Sequence, residues 1–424
     1  MENKKDMVVV SAVRTPFSRF GGALRDVPSI ILGAKVMAEV ISRVQVKGDE
    51  VDEIYYGTCQ PSETALENDV PDRQAVLEAG FPPTTLSMSI DRACTASLTA
   101  VRLAMWSMKL GNSHNICLAA GAENMSRIPF MLPGLRWQGQ RIGNVEIYDN
   151  MYMLGYKGWN AISRKRAEIE LDFKGWAPVA LDAGEVAVEY GITREEQDEW
   201  AYLSQKRYAE AFKAGKFKVG EELMSLSFPK KKGPPIVFDK DEFPRPDTTL
   251  EKLAKLPTIY GSPTVTAGNA PGLDAGAAAV LLMTRKEAEK RGLKPLATVL
   301  SVEGVADEAG YLARVPAPAL KSALDTAGMT IDQMDLIEIN EAFAVMPLLA
   351  SKILSDRDEK RLKAIREKLN INGGAIAIGH PVGASGARIL MTLIYELKRR
   401  GGGYGACAIC GGLAQGEAAV VKVD

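Results

Sequence analysis

The sequence predicts an α/β fold made of two similar halves, with a mainly helical segment inserted between them. Three observations predict it. Short apolar runs bounded by glycine alternate with longer stretches of helical period, the pattern of strands alternating with helices. The order of these segments in the first part of the chain returns in the last third, and a stretch of different character separates the two.

The first half, residues 1–126, reads "MVVVSAV" as a strand, "IILGAKVMAEVISRV" as a helix and "EIYYGT" as a strand. It continues with "CTASLTAVRLAMWSMKL" as a helix and "ICLAAGAE" as a strand. Residues 127–258 form the insert. There "ITREEQ" places Thr193 three residues before Glu196, a capping box that opens an amphipathic helix, and "FPKKKGPPIVFDKDEFPRP" follows as a Pro- and Lys-rich loop. Trp137, Trp159 and Trp176 fall in this insert, either packing it onto the body or lining an apolar acyl pocket. Residues 259–291 return to the first half. Residues 292–424 form the second, through "PLATVLSVEGVA", "ALKSALDTAG", "DLIEINEAF", "GASGARILMTLIYELKRRG" and "CAICGGLAQGEAAVVKV".

Setting Arg102, Leu103 and Met105 on Arg388, Ile389 and Met391 fixes a register of 286 (388 − 102). The same shift carries Cys94 onto His380. The two residues are then expected in equivalent loops, each before a long helix, and facing each other if the halves pack helix against helix.

Composition narrows the function. The chain has 424 residues, 46% hydrophobic and 25% charged, enough for a large core and for more than one simple domain. Its 52 basic and 53 acidic side chains nearly cancel, so no global field draws it to nucleic acid or an anionic membrane. No apolar run has membrane-spanning length, and the opening residues lack the pattern of a signal peptide, which predicts a cytoplasmic protein. The five cysteines and two histidines lack the paired spacing of a metal site, so no metal is expected. Individual thiols are the better candidates.

Cys94 stands just before a helical run, where the helix dipole and free N–H groups favour a thiolate. Taken alone it fits a buried small hydrophobe equally well. His380, in "GHPVGASG", supplies a base in a glycine loop that lets backbone and imidazole approach a carbonyl. Cys410 precedes "GGLAQG", a turn whose N–H groups can hold an oxyanion, and is a candidate second acid/base. Cys59, Cys117 and Cys407 read as packing residues, and His114 as a solvated loop residue.

With these residues in view, the chain resembles the thiolases, the 3-oxoacyl-CoA thiolases and acetyl-CoA acetyltransferases. The resemblance runs from "VVVSAVRTPFSRFGGAL" through "GAENMSR" and "TVTAGNAPGLDAGAAAVLLM" to "NEAFA", "GHPVGASGARI" and the final Cys-Gly-Gly strand. It implies a layered α-β-α-β-α sandwich and an acyltransferase with coenzyme A as co-substrate and no permanently bound cofactor. It further implies Cys94 as nucleophile, His380 as its base, Cys410 as second acid/base and Asn340 as holder of a catalytic water. His380 and that water form one implied oxyanion hole, and the N–H groups of Cys94 and Gly412 the other. Arg245 is implied near the nucleotide end of CoA, with Ala267, Gly268 and Phe343 along the pantetheine. The family also implies a homodimer or dimer of dimers.

The chain departs from the family pattern at four places. Ala96 and Ser97 stand where a Ser-Gly pair is expected, and Pro271 where a serine is. Pro178 and Val179 stand at the positions matched to the short-chain enzymes' His-Met pair, and the insert is longer and richer in aromatics. These departures imply a 3-oxoacyl-CoA bulkier than acetoacetyl-CoA. A narrower resemblance, to the thiolase subunit that cleaves benzoylsuccinyl-CoA, implies an aromatic substrate and a second small subunit. The alternatives are a short-chain acetyl-CoA acetyltransferase and a non-catalytic thiolase-like acyl-CoA or lipid carrier. A ketoacyl-carrier-protein synthase would need a second histidine where Asn340 stands.

Overall fold

The computed structural model describes residues 6–64, 70–110, 114–132, 134–135, 139, 142–151, 179–228 and 234–424. Trp137, Trp159, Trp176 and Pro178 lie outside them. The strands are β1 (Met7–Arg14), β2 (Glu53–Thr58), β3 (Leu86–Asp91), β4 (Ile116–Asn124), β5 (Leu226–Phe228) and β6 (Ile236–Phe238). They continue with β7 (Asp274–Thr284), β8 (Ala297–Ala306), β9 (Leu336–Ile339), β10 (Gly403–Gly411) and β11 (Gln415–Val423). The helices that matter here are α1 (Ser29–Ser42), α2 (Pro71–Glu78), α3 (Ala96–Leu110), α4 (Val179–Glu189) and α5 (Arg194–Lys213). After them come α6 (Leu250–Ala254), α7 (Pro316–Ala327), α8 (Val345–Leu354) and α9 (Ser385–Arg399).

One ten-stranded sheet runs β9-β10-β11-β8-β1-β7-β4-β2-β3, with Ser18–Arg19 also pairing β7. Read outward from the β1–β8 junction, each half repeats one order: β1-β7-β4-β2 on one side and β8-β11-β10-β9 on the other. Met7–Val9 joins the halves by pairing antiparallel with Ala297–Val299.

Every residue of β1, β4 and β7 is buried, so these strands read as nearly continuous apolar runs rather than alternating ones, with Arg14, Glu123, Asn124 and Asp274 at their ends. Their alternate side chains enter two different cores. Val8, Val10, Leu118 and Ala120 pack under α1 and α2, while Met7, Val9, Cys117 and Ala119 pack against α3 and α9. Beyond the second half of the sheet, Ala406, Ala408 and Val420 meet α7 and α8. The layers are thus helix, sheet, the α3–α9 pair, sheet, helix.

The middle layer is tight. A Cβ on Gly386 would lie 2.5 Å from the Leu98 nitrogen, so only glycine lets α9 cross α3 this closely. Ser97, at a position where glycine is expected, accepts a hydrogen bond from Ala387 N at 3.0 Å and ties the two helices together.

The register of the repeat needs correcting. α3 and α9 are each 15 residues long and stand 289 apart (385 − 96). The short 3-10 turns ahead of them, Ala93–Thr95 and Val382–Ala384, keep the same offset. Cys94 therefore matches Gly383, and His380 lies three residues earlier. A slip of three is close to one helical turn and keeps the apolar face of the helix in place, so the side-chain pattern tolerated the error.

The insert contributes α4, α5 and α6 together with the β5–β6 hairpin and a short Phe130–Met131/Tyr148–Asp149 pair. Thr193 caps α5 as expected, accepting from Glu196 N while the Glu196 carboxylate accepts from Thr193 N. Arg14, fully buried, anchors this region to β1. It donates to Glu222 at 2.7 Å and to both oxygens of Asp241 at 2.7 and 2.9 Å.

Candidate active site

Two loops meet where α3 and α9 begin. Cys94 lies in the 3-10 turn that opens α3, held by an unusual backbone. Ala93 has φ 49°, the left-handed region that non-glycine residues avoid. The Asp91 carboxylate accepts the Ala93 N–H at 3.1 Å and holds the turn. His380 follows Gly379, whose φ of 106° suits glycine alone. A Cβ there would also sit 2.7 Å from the Asp274 carboxylate.

The two side chains touch. His380 Nε2 lies 3.2 Å from Cys94 Sγ, and the other ring nitrogen fixes the tautomer. Ser385 Oγ donates its single proton to Pro381 O at 2.8 Å, so it must accept from His380 Nδ1 at 2.6 Å. Nδ1 carries the proton in the neutral ring, and Nε2 presents a lone pair to the thiol. This is the arrangement a base needs to take the Cys94 proton.

Cys410, the second-last residue of β10, hydrogen-bonds the same thiol. That hydrogen bond holds Cys94 well below the ordinary thiol range, against burial and with help from His380. The same contact, together with burial, pushes Cys410 well above that range. One thiol is thereby prepared to be an anion and the other to keep its proton. Gly412 begins the turn after β10, and a Cβ on it would lie 3.2 Å from Ala93 Cβ, so it abuts the Cys94 turn. Leu413 and Ala414 complete that turn with φ 55° and 57°, a second strained stretch beside the thiols.

Asn340 follows β9, fully buried, with Nδ2 3.5 Å from His380 Nε2. Cys94, His380, Cys410, Asn340 and Gly412 are thus brought together. Of the residues expected at CoA, Arg245, Ala267 and Gly268 line one cavity of about 220 Å³ with Phe243, Lys252 and Ile376. Ile376 stands four residues before His380 in the chain, and neither Cys94, His380, Asn340 nor Cys410 lines this cavity. Phe343 does not line it; the ring is buried in the adjoining core with Leu253 and Ala270.

Several supporting residues escaped the sequence reading. Asp274 accepts the His380 backbone N–H at 2.7 Å, and burial pushes its carboxyl up to about 7. Glu123 accepts from the backbones of Cys59, Gln60 and Gly383, linking loops of both halves, and burial pushes it up to about 8. Glu341 accepts from Trp200 Nε1, Ser204 Oγ, Asn370 Nδ2 and Ile376 N, fastening α5 to the loop ahead of His380. Each is an acidic residue embedded in an apolar run, and that anomaly was the available signal.

Two further residues differ from expectation. His114 is half-buried, 2.6 Å from Ser107 Oγ and 3.6 Å from Glu53, rather than solvated. Cys117 and Cys407 are buried as expected, whereas Cys59 is only partly covered. Among the described residues no cluster of His, Cys, Asp or Glu could hold a metal ion, and no helix is long and apolar enough to cross a membrane.

The family model described as Thiolase, N-terminal domain, matches residues 7–286, and that described as Thiolase, C-terminal domain, matches residues 293–423. The chain belongs to the thiolase family. It is an acyltransferase by that membership, and its relatives agree. It is 40% identical over 421 residues to an acetyl-CoA acetyltransferase of Syntrophomonas wolfei, covering 99% of each chain. It is 37% identical over 420 residues to a beta-ketoadipyl-CoA thiolase of Acinetobacter baylyi, again covering 99% of each. The solved structure of human mitochondrial 3-ketoacyl-CoA thiolase in complex with CoA superposes with a TM-score of 0.86 at 32% identity. That match covers 99% of this chain and 98% of the human one. This thiolase therefore shares its fold with the enzymes whose motifs it resembles.

Proposed function

We propose that this thiolase cleaves a 3-oxoacyl-CoA reversibly with CoA, through an acyl group carried on Cys94. The observation that carries the proposal is the 3.2 Å contact between Cys94 Sγ and the unprotonated Nε2 of His380. His380 takes the Cys94 proton, and the thiolate attacks the 3-oxo carbon. The bond between carbons two and three then breaks, and Cys410 protonates the departing enolate. In the second half-reaction the Cys410 thiolate takes the proton of CoA. The CoA sulfur displaces the acyl group from Cys94, which returns as a thiolate beside the protonated His380. His380 and a water held by Asn340 face one developing oxyanion, and the N–H groups of Cys94 and Gly412 the other. Preorganised donors of this kind are each worth about 10²–10³ in kcat.

CoA is placed along the cavity of Arg245, Ala267 and Gly268, with the Arg245 and Lys252 cations toward its phosphates. That a human relative was solved in complex with CoA supports CoA as the co-substrate. For the acyl group we favour one larger than acetoacetyl. The beta-ketoadipyl-CoA thiolase relative and the absent His-Met pair support it, and an aromatic acyl group with a second subunit is its furthest extension. The names of relatives such as the Syntrophomonas wolfei enzyme support the short-chain reading instead.

Steady-state kinetics with acetoacetyl-CoA, longer straight-chain, dicarboxylic and aryl 3-oxoacyl-CoA thioesters separates the two. Rapid turnover of acetoacetyl-CoA alone removes the larger substrate. Turnover by Cys94→Ala at the wild-type rate would falsify the acyl-cysteine route altogether.

A further inference from the structure

Asn340 has an amide with two unlike ends, and only one of them serves the reaction. Its Nδ2 must face His380 and the space above Cys94, because the water that Asn340 holds there must accept an N–H so that its own O–H can point at the developing oxyanion. Nothing in Asn340 itself enforces this. Its backbone N–H is used by Ala408 O at 2.9 Å, which fixes the chain but leaves the amide free to turn end for end.

Arg388 removes that freedom. It lies on the first turn of α9, 1% exposed, and its Nη2 is 2.8 Å from Asn340 Oδ1. A guanidinium carries only donors, so its partner must be an oxygen. With Asn340 turned over, Nδ2 would point at the guanidinium, donor against donor, and Oδ1 would point at His380. Glu338 on β9 faces Arg388 with its carboxylate 4.0 Å from Nη1, an ion pair without a hydrogen bond. The charged groups Arg14, Glu222 and Glu341 also act on it. The Arg388 Nε and Glu338 Oε2 have no hydrogen-bond partner among the described residues, so the hydrogen bond to Asn340 is the one the guanidinium makes there.

We propose that Arg388 is a positioning residue for the thiolase reaction, holding the Asn340 amide with its N–H₂ toward His380 and the water that faces the oxyanion. The inference rests on the role proposed above for Asn340, and a double-mutant cycle separates the two. Asn340→Ala alone tests the role of Asn340 and is expected to lower kcat about 10²-fold with little change in KM. Arg388→Met combined with Glu338→Gln removes the donor without leaving a buried carboxylate uncompensated. It is expected to lower kcat about tenfold or more, again with KM for the acyl-CoA nearly unchanged.

In the Asn340→Ala background the Arg388→Met/Glu338→Gln change should cost nothing further, since there is no amide left to orient. Arg388→Lys, which keeps a donor-only head, should restore most of the lost kcat. Independent, multiplying losses in the cycle would overturn the proposal while leaving the role of Asn340 intact. No loss in Asn340→Ala would overturn both. Should the Met/Gln variant fail to fold, the cycle is run with Arg388→Gln combined with Glu338→Gln, a polar side chain too short to reach Asn340. The loss in kcat that this variant causes must vanish in the Asn340→Ala background, and no loss, or a loss that persists there, overturns the proposal.

Discussion

His380 is poised by a hydroxyl rather than by a carboxylate. Ser385 spends its proton on Pro381 O and so receives Nδ1–H, leaving Nε2 as the only nitrogen able to accept from Cys94. The consequence appears in the pH dependence of Cys94. Its folded-state pKa is depressed, chiefly by Cys410, so the thiolate persists below the range in which a free thiol is already protonated. An ordinary cysteine titrates near about 8.5. The rate of alkylation of Cys94 by iodoacetamide should therefore rise with pH through a midpoint below that value. Cys410→Ala should move the midpoint upward. A wild-type midpoint at or above the ordinary value contradicts the assignment. His380 was legible before folding from its glycine-rich motif, whereas Cys94 alone read equally well as a packing residue and became a candidate through its place before a helix and the family resemblance. Asp274 was not, because its partner, the His380 backbone, lies 106 residues away and only the fold brings them together.

At the scale of elements, the catalytic loops are held by buried carboxylates that bridge segments. Glu341 accepts four hydrogen bonds from three segments, so Glu341→Ala strands several buried donors at once. Urea denaturation should show a loss of about 2–4 kcal/mol, and trypsin should cut α5 faster than in the wild type. An unchanged midpoint with unchanged proteolysis would mean that α5 is held by its apolar face alone. Most strands and helices were legible, because apolar periodicity reports burial directly. The register of the repeat was not. Arg102 and Arg388 looked equivalent, yet the first faces Glu417 and the Trp106 ring while the second reaches Asn340. The two arginines stand about one turn apart in their helices, and a shift of one turn keeps the same face inward, so the apolar pattern could not tell the registers apart.

For the whole molecule, the sheet ends at β3, which has β2 as its only neighbour among the described residues. Leu86 is 62% and Met88 48% exposed on this edge strand. An unpaired apolar edge is a template for another strand, and native proteins cover or charge it. Self-pairing of β3 across a twofold axis would cover it, in line with the homodimer implied by the family resemblance. Leu86→Lys with Met88→Lys should shift the mass measured by light scattering to that of one chain, at micromolar protein. A wild-type protein already monodisperse as a single chain would remove the dimer.

The central claim is that Cys94, activated by His380, carries the acyl group between the two halves of the reaction. Its most direct test is peptide mass spectrometry after incubation with 3-oxoacyl-CoA thioesters in the absence of free CoA. The account predicts an acyl adduct on the peptide containing Cys94, with the mass of the substrate minus its acetyl-CoA portion, and its discharge when CoA is added. An adduct that survives Cys94→Ala, or a wild-type protein that turns over substrate with Cys94 unmodified throughout, would contradict it.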